Sequence, residues 1–151
     1  MDEFVGAEVA EDCGDMPERP QEKAYERARA CALKAHAAHK PFRLVWGGPR
    51  IDSIMRQATV GRFVDGRYEV RWFSYDSCPS GCGDADPVWG SDRCDSLEDL
   101  RAACKAQAKS KGPVDKALAW LCDKDNAQEV RRSLELRCTN PVEMQSCGPK
   151  E

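Results

Sequence analysis

The chain has 151 residues, 41% hydrophobic and 32% charged, with a net charge of −3 at neutral pH. That length suits one domain able to bury a sizeable core. Apolar runs stop well short of the ~18 residues of a membrane helix, and the acidic balance excludes a strongly basic nucleic-acid binder.

Residues 1–18 hold seven acids and no Lys or Arg, while all 23 bases lie beyond them. A like-charged terminal block reads as a solvated tail, here residues 1–19. The sharper reading folds it back onto a basic face, with Cys13 as the pin. Residues 20–40 predict a helix. Pro20 suits its first position and Pro41 stops it. Ala24, Ala28, Cys31, Ala35 and Ala38 recur at three- and four-residue steps, giving a buried face of small side chains.

Residues 42–46 form a short apolar strand ended by Gly47-Gly48-Pro49. Asp65-Gly66 is a two-residue hairpin turn, since that turn needs positive φ at both positions. The flanking strands then pair so that partner numbers sum to 131. Phe63 faces Tyr68, Gly61 faces Val70, and Thr59 faces Trp72. The other face carries Arg62 opposite Glu69, Val64 opposite Arg67, and Val60 opposite Arg71. Turn chemistry and side-chain alternation thus agree on one register.

Residues 75–95 show neither helical nor strand period and read as a long cysteine-rich loop, a length that points to function. The rest reads as three helices. The first opens on a capping-box-like Ser96-Leu97-Glu98-Asp99. The second carries Val114, Leu118, Leu121 and Cys122. The third runs from Asp125 or Asn126 through Val130, Leu134 and Cys138 to Thr139-Asn140-Pro141. The expected fold class is therefore α+β: a long N-terminal helix on a small antiparallel sheet built on the 57–75 hairpin, a cysteine-rich loop, and a C-terminal cluster of three helices, with residues 20–151 as one domain.

Nine cysteines are the anomaly: Cys13, Cys31, Cys78, Cys82, Cys94, Cys104, Cys122, Cys138 and Cys147. An odd count leaves at least one unpaired within the chain. Such density is ordinary in exported proteins and high in the cytosol. The first residues lack the basic start and apolar run of a leader. The expectation is a secreted or periplasmic protein whose leader is absent from this sequence; the alternative is a cytoplasmic, reduced one. In an antiparallel helix pair, Cys104 and Cys122 fall at similar heights about the turn, which predicts their bridge. Cys138–Cys147, and Cys94 with Cys78 or Cys82, complete the expected set.

Among candidate sites, Arg62, Arg67 and Arg71, with Tyr75 and Trp89, form an arginine–aromatic strip. It would contact a protein partner, or a small anionic or sugar-like ligand, by cation–π and hydrogen bonding. Metal readings are alternatives. Asp84, Asp86 and Asp92 offer oxygens for calcium. Cys78, Cys82 and Cys94, or His36 with His39 on one helical face, offer zinc ligands. No phosphate-binding glycine loop, nucleophile elbow or paired-carboxylate motif is present. The reading is an exported, disulfide-stabilised binding domain without catalytic activity or cofactor. Its alternative is an intracellular metal-binding or thiol-dependent protein.

Overall fold

A computed structural model of the chain describes residues 10–17, 21–49, 53–78, 87–109, 116–123 and 135–147. In chain order they form β1 (Glu11–Met16), α1 (Glu22–Ala37), β2 (Phe42–Pro49), β3 (Ile54–Val64), β4 (Arg67–Asp76), β5 (Val88–Cys94), β6 (Ser96–Asp99), α2 (Leu100–Lys109), α3 (Lys116–Cys122), β7 (Leu136–Thr139) and β8 (Val142–Cys147). Six strands make one sheet in the order β1-β2-β3-β4-β5-β8, while β6 and β7 pair separately. β1 lies parallel to β2, and every other pair is antiparallel.

The acidic segment folds back over Glu11–Met16. Cys13 is bonded to Cys31 of α1. Asp12 accepts from Arg43 at 3.1 Å, and Asp15 from Arg56 at 2.5 Å. Acids on β1 thus meet the arginines of β2 and β3.

α1 is alanine-rich, which favours helix. It ends at Ala37, and His39 then turns left-handed at φ 51°. Its Tyr25, Ala28, Ala32 and Ala35 are buried against Phe42, Leu44 and Trp46 of β2, Val70 of β4 and Cys94 of β5. On this inner face Trp46 meets Trp72 edge-on, with centroids 4.9 Å apart, and donates its Nε1–H to Gln57 Oε1 at 2.8 Å. Gly61 faces Phe42 across β2–β3; a Cβ there would come within 2.4 Å of the Phe42 ring and 2.3 Å of the Tyr68 hydroxyl. The glycine is what lets the fully buried Phe42 lie flat on β3.

The β3–β4 register runs from Met55↔Asp76 to Val64↔Arg67 and includes all six expected pairs. The α+β arrangement of a long helix on a small sheet, with three C-terminal helices, is overturned. The sheet dominates, with six strands and short helices. Within the expected loop, residues 88–94 form β5, paired to β4 from Val70↔Cys94 to Asp76↔Val88. Polar Ser91 and Asp92 hide its alternation. Ser96 opens a strand rather than a helix; the helix starts four residues later, at Leu100, and Asp99 caps it, its Oδ1 accepting from the Ala102 N–H at 3.2 Å. Leu97 and Leu100 therefore only mimic a helical step. The expected third helix falls partly on residues 124–134, outside the described ones, and its last part is strand β7.

Cys104–Cys122 forms as expected. The expected partners of Cys138 and Cys94 are overturned, because these two bond to each other with Cα atoms 5.1 Å apart. The cause is the β6–β7 register: Leu97 pairs with Cys138, which places Cys94, just before β6, beside it. Cys78 is also disulfide-bonded.

Candidate functional site

The sheet face away from α1 carries the expected strip. Alternation puts Arg67, Glu69, Arg71, Phe73 and Tyr75 of β4 on it. The ladders then fix their neighbours. Arg56, Tyr75 and Trp89 form one row across β3, β4 and β5, and Ala58, Phe73 and Ser91 form the next. Between these rows lies a cleft of about 200 Å³, lined by Arg56, Ala58, Phe73, Tyr75, Trp89 and Gly90 among others. Ala58, only 2% exposed, is its small residue between larger neighbours. β2 places Gly47 opposite Arg56, at φ 111°, where a Cβ would lie 2.2 Å from the Met55 carbonyl oxygen. With no β2 side chain at that row, Arg56 reaches Asp15.

The five strip residues share this face but not one site. Tyr75 and Trp89 oppose each other in the cleft. Arg71 lies further up β4 and donates to Glu69 from Nε and Nη2 at 3.3 and 3.1 Å. Arg62 opposes Glu69; burial and then Arg71 push its guanidinium pKa down, against the pull of Glu69. Exposed Arg93 opposes Arg71. Arg67 sits at the hairpin end, roughly 26 Å along β4 from Tyr75 at strand rise. Arg56 escaped the sequence reading, although the sum-to-131 register, carried two pairs further, names it as the partner of Tyr75.

A second cluster, little foreshadowed by residue spacing, joins α1 to the small sheet. Arg29 meets Glu26 at 2.7 Å, Asp99 at 3.1 Å and Glu135 at 3.5 Å. Arg101 meets Glu26 at 2.7 Å and also pairs with Glu135. Both guanidiniums lie over the Tyr25 ring, 6.0 and 5.7 Å from its centroid. Burial, and the Glu135 carboxylate beside it, hold the Tyr25 phenol well above its ordinary range. Only Glu26 and Arg29, three apart on a helix, were legible as a pair. Every charge here has an opposite partner within 4 Å, and with Arg29 and Glu135 little exposed this suits a structural joint.

Of the metal candidates, Asp84, Asp86 and Cys82 lie outside the described residues. The Cys78 and Cys94 sulfurs are in disulfides, so neither is a thiolate ligand. Among the described residues no three His, Cys, Asp or Glu side chains gather as a metal site. His36 and His39 take different roles. The His39 ring stacks on Tyr68 at 4.9 Å. His36 Nε2 accepts the Leu97 N–H at 3.2 Å, with Ser96 Oγ 3.1 Å away. One lone pair is thus shared by two donors, so His36 is poorly placed to serve as a base for Ser96. Among the described residues no helix is long and apolar enough to cross a membrane.

No known protein family matches the chain, and neither does any curated protein or solved structure.

Proposed function

We propose that the chain is a disulfide-braced binding domain of an oxidising, extracytoplasmic compartment. Its contact site is the Phe73–Tyr75–Trp89 cleft, which takes one apolar side chain from an acidic segment of a partner protein. The carrying observation is the row Arg56–Tyr75–Trp89 with Phe73 beside it. At about 200 Å³ the cleft is smaller than small-molecule sites, typically ~300–1,000 Å³. It matches the pocket that receives a single anchor residue at a protein interface. Charge supports an acidic partner: on the adjoining rows Arg62, Arg71 and exposed Arg93 outnumber the one carboxylate among them, Glu69, which leaves the patch net positive. A sugar-like ligand is served less well, because the exposed lining of the cleft is mostly apolar and offers few donors. A small anion competes with carboxylates already on Arg56 and Arg71.

The test selects short peptides against the oxidised, folded chain. Binders should carry one Phe or Leu flanked by acids. Trp89→Ala should weaken them about 30-fold, the ~2 kcal/mol of an anchor residue, with an unchanged far-UV spectrum. Binders without that pattern, or indifferent to Trp89→Ala, refute the site. Nine free thiols in protein from its native compartment refute the brace.

A further inference from the structure

We propose that the contact between the last turn of α1 and β6 is an acid-opened latch, held shut by neutral His36 and released when its imidazole takes a second proton. The geometry fixes the closed state. A backbone N–H cannot rotate away, so the 3.2 Å bond from Leu97 makes Nε2 an acceptor and places the ring proton on Nδ1. That nitrogen is buried without a hydrogen-bond partner among the described residues. A second proton must therefore go on Nε2, where it would face the Leu97 N–H donor to donor. The Ser96 hydroxyl can turn to accept it, but the Leu97 amide cannot.

The surroundings do not compensate. On the α1 side the nearby titratable group is His39, and on β4 it is Tyr68, whose ring lies 5.9 Å from that of His36. β6 brings Ser96 and the Leu97 amide, and no carboxylate contacts the ring among the described residues. Burial, with His39 adding to it, holds the imidazole below its ordinary 6.5. Further along the seam stand Glu26 and Arg29 of α1, Asp99 of β6, Arg101 of α2, and Glu135. Against the upward push of desolvation, Arg29 and Arg101 keep Glu26 below its ordinary range, so its ion pairs persist in mild acid.

The small sheet has what it needs to move as a unit. Asp95 N–H donates to the Thr139 carbonyl at 3.0 Å, Leu100 N–H to the Glu135 carbonyl at 2.8 Å, and Cys94–Cys138 anchors its root. The sign follows from the lowered affinity for a proton. The open state takes one at about pH 6.5 and the closed state only at lower pH. The closed form is thus fully favoured above 6.5 and loses ground as pH falls through the closed-state value. Between pH 7.5 and 5 the opening constant rises by up to about 30-fold.

Amide exchange by NMR on the intact, oxidised chain reads this directly. Protection at Leu97, corrected for intrinsic exchange, should fall across that range by no more than that factor, while Val60 and Gly61 in β3 hold theirs. His36→Gln should abolish the response and His39→Gln should keep it. In the unmodified chain, ring 15N shifts at pH 7.5 should show the proton on Nδ1. A proton on Nε2, a flat Leu97 profile, or an unchanged response in His36→Gln overturns the latch.

Discussion

Replacing both Cys94 and Cys138 with alanine removes the covalent tie between the large and small sheets and leaves no new thiol to reshuffle. The bridge closes a loop of sequence separation 44. By chain entropy that constrains the unfolded state by about 4 kcal/mol. At this chain length each kcal/mol moves Tm by about 2–4 °C, so the double variant should melt roughly 8–16 °C lower. Cys94 is 5% exposed in the main core, so the loss should not fall below the entropic figure through relief of an exposed strained tie. The assay is equilibrium urea unfolding without reductant, followed by far-UV dichroism and by tryptophan emission. Coincident transitions at a lower midpoint are expected, with a slope no shallower and rising as the unbridged denatured chain becomes less compact. A loss under about 1 kcal/mol with an unchanged slope would refute the reasoning. The bridge would then merely record a proximity that packing alone secures.

Two further substitutions probe packing and charge. Gly61→Ala should cost about 1–3 kcal/mol in the same assay, because its methyl would overlap the Phe42 ring and the Tyr68 hydroxyl; a neutral result would mean that the aromatic layer is loosely packed. Arg29→Met should cost roughly 2–3 kcal/mol, below the ~3–5 of a wholly buried pair because Asp99 and Glu26 are partly solvated. If it proved stabilising, the cluster around Tyr25 would be a site kept against stability, and its role as a joint would fail.

The hairpin was legible because two independent signals converge on it. Asp65-Gly66 dictates a turn from two residues, and the alternation on either side dictates a register. The Cys104–Cys122 bridge was legible for a similar reason, since a short antiparallel helix pair is local geometry. What failed was non-local. β1 reads as an acidic tail because its acids are neutralised by Arg43 and Arg56, which lie more than 30 residues away. β5 lacks an apolar alternation because its buried residue at 91 is a serine, 4% exposed. β6 and β7 are four residues each, too short to display a period. Once β6 is read as a helix, Cys94 and Cys138 cannot be brought together, so one mistaken element carried the mistaken bridge with it. The site shows the same division. Trp89 and Tyr75 were named from residue type, but their juxtaposition follows from the β4–β5 ladder, and the place of Arg56 needed the hairpin register carried to its end.

Why a chain of this size has so much sulfur follows from the face α1 presents. Three of its four buried residues, Ala28, Ala32 and Ala35, are alanines. Each buries about one methyl, near 0.8 kcal/mol, where a leucine would contribute about 1.5–3. Small side chains let the helix approach closely over Phe42, Leu44 and Trp46, but close approach with little apolar area holds weakly. The other attachments fall where that deficit would be felt. Cys13–Cys31 fastens β1 to α1, the Arg29–Glu135 cluster and His36 fasten α1 to the small sheet, and Cys94–Cys138 fastens the small sheet to the large one. Of these, only the covalent ties are indifferent to pH. With the disulfides and the ion pairs of Glu26 holding in mild acid, the His36 contact can therefore yield without the fold coming apart, which is the physical condition that the proposed latch requires.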